Sequence, residues 1–298
     1  MLEDPVAESL VLGFIGVGVM GEPMCRHLTK KSGRKVLVSD NHTAPLARLE
    51  NEGAFRASSQ QIAQEASIIF LSLPSGDVVR EVLTSEQGIL PLLSPGQIIV
   101  DLSTSSVEST RKIAGQLKDK GIKFADAPVM RTRAAAESGT LAIPVGASDD
   151  VYAHISRYLG CFASDIKHAG NIGAGQIVKI LNNMVLYETV LALSEAHAIG
   201  KRAGVDPQVL FEAFADGSAD SFALRNHGMG AILPQHFPEA AFPVYYARKD
   251  VGYAMDLATQ MGIDATGARN LVSTFDRAIE AGHGDRYAPA ISLIFEEK

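Results

Sequence analysis

The chain has 298 residues, 46% of them hydrophobic and 20% charged, enough to bury the cores of two domains. Its 27 basic residues fall short of its 34 acidic ones, a net charge of −7, which argues against nucleic acid or an anionic membrane surface as partner. Two cysteines, Cys25 and Cys161, give neither a disulfide framework nor a metal-ligand spacing, so both are expected as small buried apolar side chains and no metal site is expected.

Residues 1–9 carry three acids and no basic residue, unlike a secretory or transit leader, and are expected to be flexible. Every uninterrupted apolar run falls short of the roughly 18 residues of a membrane span, so no membrane partner and a cytoplasmic location are expected. Leu10–Ile15 reads as a strand, followed at once by Gly16-Val17-Gly18-Val19-Met20-Gly21 and an amphipathic stretch through Leu28. Strand, glycine turn and helix in that order suit a dinucleotide. Gly16 permits the turn, Gly18 admits the pyrophosphate, Gly21 lets helix pack on strand, and the helix start through Val19 and Met20 offers N–H groups to phosphate. An ordinary glycine-rich turn would share the pattern.

Lys35–Asp40 reads as the second strand, its terminal acid 19 residues after Gly21, where a carboxylate accepts from ribose hydroxyls and repels a 2′-phosphate. Asn41-His42-Thr43 then supplies no arginine for such a phosphate, so NAD is favoured over NADP. Strands follow at 67–73, 97–102, 123–125 and 140–145, alternating with helical patterns, which predicts a parallel sheet covered on both faces. Leu73, Pro74, Ser103 and Thr104 fall at the carboxyl ends, where such sheets bind ligands, although Ser103-Thr104 alone also fits a helix cap.

Beyond Gly173 strand patterns vanish. Residues 175–203 predict one long helix, apolar around much of its circumference and ending at Gly204; further helices are predicted at 207–215, 245–261, 265–281 and over the last ten residues. The domains are read as 1–172 and 173–298. Near the start of the long helix Lys179 and Asn183 are four apart and share a face, an ammonium beside an amide.

Four ordered motifs carry a resemblance to the β-hydroxyacid dehydrogenase family: Gly13–Gly21, Asp101-Leu-Ser-Thr104, Asp126-Ala-Pro-Val129 leading to Gly139-Thr-Leu141, and Gly173–Asn183, with Lys249-Asp250 similar to a late Lys-Asp motif. The resemblance spans nearly the whole chain. It implies an N-terminal Rossmann-type doubly wound sheet, an all-α C-terminal domain joined by a long helix, and homodimers or homotetramers. It implies an NAD(P)-dependent exchange between a short, anionic 3-hydroxy acid and its semialdehyde. Lys179 matches the catalytic lysine, Asn183 a substrate-orienting amide and Ser103 a hydroxyl for the substrate carboxylate. Leu73, Pro74 and Thr104 match cofactor contacts, and Lys249 a lysine near the nicotinamide. A hydride leaving carbon requires an acceptor for the hydroxyl proton, and a lysine whose pKa is lowered by burial and neighbouring positive charge suits that task.

The chain departs from the family where Ser-Gly-Gly is usual and Met130-Arg131-Thr132 stands instead. Arg131 and Thr132 resemble the pair with which sulfolactaldehyde reductases of this family grip a sulfonate. The alternative has Arg131 facing solvent or pairing with Glu137. Imine reductases of the same architecture and non-catalytic nucleotide-dependent binding modules remain competing readings, and both usually lack the lysine.

Overall fold

The computed structural model describes residues 10–239 and 241–296 and divides into two compact units, residues 1–179 and 180–298. The expectation for residues 1–9 lies outside the described residues.

In the first unit, β1 (Leu12–Ile15), α1 (Gly21–Lys31), β2 (Val36–Ser39), α2 (Thr43–Glu50), β3 (Phe55–Arg56), α3 (Ser59–Glu65), β4 (Ile68–Leu71), α4 (Gly76–Thr84), β5 (Ile98–Asp101), α5 (Val107–Lys118) and β6 (Lys123–Asp126) alternate along the chain. They are followed by α6 (Arg133–Ser138), β7 (Leu141–Gly146), α7 (Asp149–Leu159) and β8 (Ala163–Gly170). The sheet order is β3-β2-β1-β4-β5-β6-β7-β8. Every pairing is parallel except β6 with β7, which touch only at Asp126 and Gly146 and run antiparallel. The expected all-parallel sheet therefore holds through β6 and is interrupted once.

Alternation along the strands explains why both faces are covered. Phe14, Val38, Phe70 and Val100 enter one core, while Ile15, Leu37, Ile69 and Ile99 enter the other. Serines cap α3, α4 and α5, with Ser58, Ser75 and Ser106 each accepting a first-turn N–H. No side chain caps α1.

The second unit opens inside α8 (Ala174–Arg202) and continues with α9 (Pro207–Asp216), a π-helical stretch (Leu224–Ile232), α10 (Val244–Gln260), α11 (Thr266–Glu280) and a 3-10 stretch (Ala288–Phe295). Asp206 caps α9 with Pro207 at its first position. Tyr187, Val190 and Leu193 of α8 share a core with Phe211, Val251, Leu271, Phe275 and Ile291. The predicted C-terminal helix is thus a 3-10 stretch, and the π-helical turn had no counterpart among the predicted elements.

Counting uninterrupted apolar residues found no membrane-length run, yet α8, at 29 residues, is long and apolar enough by length and composition to cross a membrane. Its buried residues enter a protein core instead.

Candidate active site

At Gly16 and Gly21 the glycine turn has the tight backbone and close packing that its spacing predicts. Gly16 has φ +93°, and a Cβ there would overlap the Ser72 carbonyl oxygen; a Cβ on Gly21 would overlap the Gly16 carbonyl oxygen. Side chains are excluded at both positions by neighbouring backbone. Gly18 differs, because nothing lies within 4 Å of where its Cβ would be. Open space in front of Gly18, together with the uncapped N-terminus of α1, leaves a concave, donor-rich turn that fits a pyrophosphate. Val19 is exposed and Met20 half-buried beside it.

Asp40 closes the rim of this turn. Its Oδ2 accepts the Val17 N–H at 2.7 Å and its Oδ1 accepts the His42 N–H at 2.7 Å, so the carboxylate ties the turn after β1 to the turn after β2. Each oxygen keeps a second lone-pair direction for a ribose hydroxyl. Asn41 between them is exposed. Arg48 is engaged with Glu22 at 2.6 and 2.8 Å, and these contacts, Arg48 first, hold Glu22 below the usual carboxylate range.

The carboxyl ends of β1, β4, β5 and β6 lie side by side, and their loops are bonded to one another. Ser103 Oγ accepts the Leu73 N–H at 2.9 Å, and as a hydroxyl it keeps one proton to donate. Pro74 is exposed beside it, and Thr104 half-buried. Asp126, fully buried at the end of β6, accepts the Gly173 N–H at 2.7 Å and the Gln176 N–H at 2.8 Å. It caps α8 from 47 residues upstream. Burial raises its pKa to about 7, with the nearby Asp101 carboxylate adding to the shift and the two N–H donors opposing it.

Lys179 follows one turn beyond Gln176 and is 8% exposed, so it is no surface lysine. Four residues on, Asn183 donates through Nδ2 to Asp250 Oδ2 at 2.8 Å and accepts from Asn182 at 3.2 Å. Asp250, 1% exposed, lies 2.9 Å from the Lys249 ammonium, which packs over the ring of Tyr253. Lys249 and Asn183 are thus joined through one buried carboxylate.

Arg131 is where structure and expectation part. Its backbone has φ +81°, the conformation natural to the glycine usual at this place, and its guanidinium is held by three groups on the sheet: Asp165 at 2.7 Å, Ser164 at 2.9 Å and the Thr140 carbonyl at 2.5 Å. It neither faces solvent unpaired nor meets Glu137, which pairs with Arg26 and Arg133. The guanidinium expected to grip a substrate anion is engaged with a carboxylate of its own chain. Thr132 is exposed at the start of α6 without capping it. Sequence reasoning assigned no role to Asp126, Gln176 and Asp250; the signal available was a polar residue inside each motif.

Comparison with known proteins also divides the chain in two, between residues 170 and 173. Residues 11–170 match the family model described as the NAD binding domain of 6-phosphogluconate dehydrogenase, and residues 173–292 match the one described as NAD-binding of NADP-dependent 3-hydroxyisobutyrate dehydrogenase. The chain is 33% identical over 291 residues to a 2-(hydroxymethyl)glutarate dehydrogenase of Eubacterium barkeri, covering 97% of this chain and 96% of that one. It is 33% identical to a 3-hydroxyisobutyrate dehydrogenase of Pseudomonas aeruginosa, covering 96% and 99%. Among solved structures, a Mycobacterium tuberculosis 3-hydroxyisobutyrate dehydrogenase with L-serine superimposes with a TM-score of 0.87 at 27% identity, covering 97% and 99%. An imine reductase of Myxococcus stipitatus with NAD+ shares the fold alone, at 18% identity and a TM-score of 0.66.

Proposed function

The chain belongs to the β-hydroxyacid dehydrogenase family, and on that premise we propose that it interconverts a short anionic 3-hydroxy acid and its semialdehyde, with NAD as the preferred cofactor. The activity class, an NAD(P)-dependent 3-hydroxyacid dehydrogenase, is that of its relatives, and the finer assignments are ours. A bound nicotinamide supplies or receives the hydride. Gly18 and the open end of α1 hold the pyrophosphate, while Asp40 accepts the ribose hydroxyls and disfavours a 2′-phosphate. Ser103 offers its free hydroxyl proton to the substrate carboxylate. Lys179, as ammonium, donates a proton to the carbonyl oxygen in reduction and takes it back in oxidation. Asn183, held by Asp250, carries the substrate-orienting role that its place in the family motif implies.

The observation that carries this reading is a buried amine one helical turn from the residue that bonds the Ser103 loop. A sulfolactaldehyde-type substrate is less favoured, because the Arg131 guanidinium would have to leave Asp165, Ser164 and Thr140 to reach a sulfonate. We also propose a homodimer: Val185 and Ile199, 59% and 67% exposed on α8, form with Ala192 an apolar stripe at helical spacing that a second copy would cover.

The test is a panel of 3-hydroxyisobutyrate, tartronate semialdehyde, sulfolactaldehyde and a cyclic imine, assayed with NAD and NADP in their matching redox forms. Turnover of a carboxylated substrate, faster with NAD(H), supports the proposal. Turnover confined to the imine, or tight nucleotide binding with no turnover, replaces it with the imine reductase or the binding module.

A further inference from the structure

We infer that Gln176 is a positioning residue for proton transfer, its side-chain amide fixing the first turn of α8, and so Lys179, against the loop that carries Ser103. The inference rests on the reading of Lys179 as proton donor. Gln176 is 0% exposed. Its Nε2 donates to the Ser103 carbonyl at 2.8 Å and its Oε1 accepts the Ser105 N–H at 3.1 Å, so one amide engages the backbone on both sides of Thr104. Its own N–H donates to Asp126. The helix start is therefore bonded to the ends of two adjacent strands, β5 and β6. Gly175 is bare because a Cβ there would lie 2.6 Å from the Asp126 carbonyl and 2.8 Å from that of Pro144, which presses this turn onto the sheet.

The chemistry admits few substitutes. The site needs one donor and one acceptor at the tip of a side chain two methylenes long. Asparagine is one methylene short, and an ionised glutamate has no donor for the Ser103 carbonyl. Lys179 lies three residues on, about 4.5 Å further along the axis on the same face. A lost amide would let the amine drift relative to Ser103, and a misplacement of about 1 Å costs on the order of 10²-fold in rate.

The test uses the full-length enzyme and whichever substrate of the panel it turns over. Gln176→Met keeps the volume and removes both bonds; Gln176→Glu keeps the acceptor alone and serves if the first variant does not fold. The expected result is a fall in kcat of about 10²-fold for Met and a smaller one for Glu, with KM for the nucleotide unchanged and a displaced pH–rate profile. In a Lys179→Ala background neither substitution lowers the residual rate further, because the residue acts through the amine. A purely structural role would lower the rate in both backgrounds and overturn the inference, as would an unchanged kcat in the folded variant. If Lys179→Ala alone retains the parent rate, or no substrate is turned over, the dehydrogenase reading fails and takes this inference with it. Loss in Lys179→Ala with no loss in the Gln176 variants sinks the inference alone.

Discussion

Asp126 turns a buried charge into a measurable pH dependence. Its carboxyl titrates at 3.8 in an unfolded chain and about 7 in the folded one, raised by burial despite two backbone donors. A raised pKa means that the folded chain binds this proton more tightly, so the proton's contribution is fully present below the unfolded value and lost as pH rises through the folded one. The gap is roughly three pH units, and at 1.36 kcal/mol per unit ionisation removes about 4 kcal/mol of stability between pH 4 and pH 7. Asp126→Asn cannot ionise, but its Nδ2 cannot accept, so it gives up one of the two backbone N–H bonds and carries a constant cost at every pH. Urea unfolding of both proteins from pH 4.5 to pH 8 measures the difference. The variant should start below the parent in the acidic range by that constant cost and then gain on it up to about pH 7 and no further, by as much as about 4 kcal/mol. A pH-independent difference, or a parent that gains on the variant as pH rises, would refute the argument. The second outcome would mean that the N–H groups of Gly173 and Gln176 outweigh burial.

Three other predictions follow from single contacts. Gly21→Ala places a Cβ against the Gly16 carbonyl and pushes α1 from β1; overpacking of about 1–3 kcal/mol should weaken nucleotide binding roughly tenfold or more, read by cofactor fluorescence titration. Asp40→Ala removes a carboxylate that organises two turns and that we propose accepts the ribose hydroxyls, so KM for NADH should rise by about tenfold and the proposed preference over NADPH should shrink, as steady-state kinetics with both cofactors would report. Gln97, 9% exposed, accepts from the Ser94 N–H and donates to the Ala63 and Ala66 carbonyls; Gln97→Leu should cost about 2–4 kcal/mol in urea unfolding with catalysis of the folded fraction intact.

Strands whose side chains are buried on both faces were legible as apolar stretches: β1, β2, β4 and β5 are each built mainly from Val, Ile, Leu or Phe. β8 was not, because Ala163–Gly170 is an edge strand with exposed polar residues and Ile166 only half-buried. β3 is two residues long. The π-helical turn shows in sequence only as two glycines, one of which, Gly228, packs against the Phe211 ring. In the candidate site, Lys179 and the glycine turn were singled out by spacing, whereas Ser103 was singled out by its place in a family motif. The partners of Asp126, Gln176 and Arg131 were not readable: each bond joins residues 9 to 73 positions apart, and the φ of Arg131 is set by the path of the backbone.

The central claim is that the Lys179 amine passes the proton. The most direct measurement is the rate of carbonyl reduction by Lys179→Ala with small primary amines added at fixed pH. The account predicts a fall of at least about 10²-fold without amine and recovery in proportion to the concentration of ammonium form, at unchanged KM for the nucleotide. A variant as fast as the parent, or one whose lost rate no amine restores while nucleotide and substrate still bind, would contradict it.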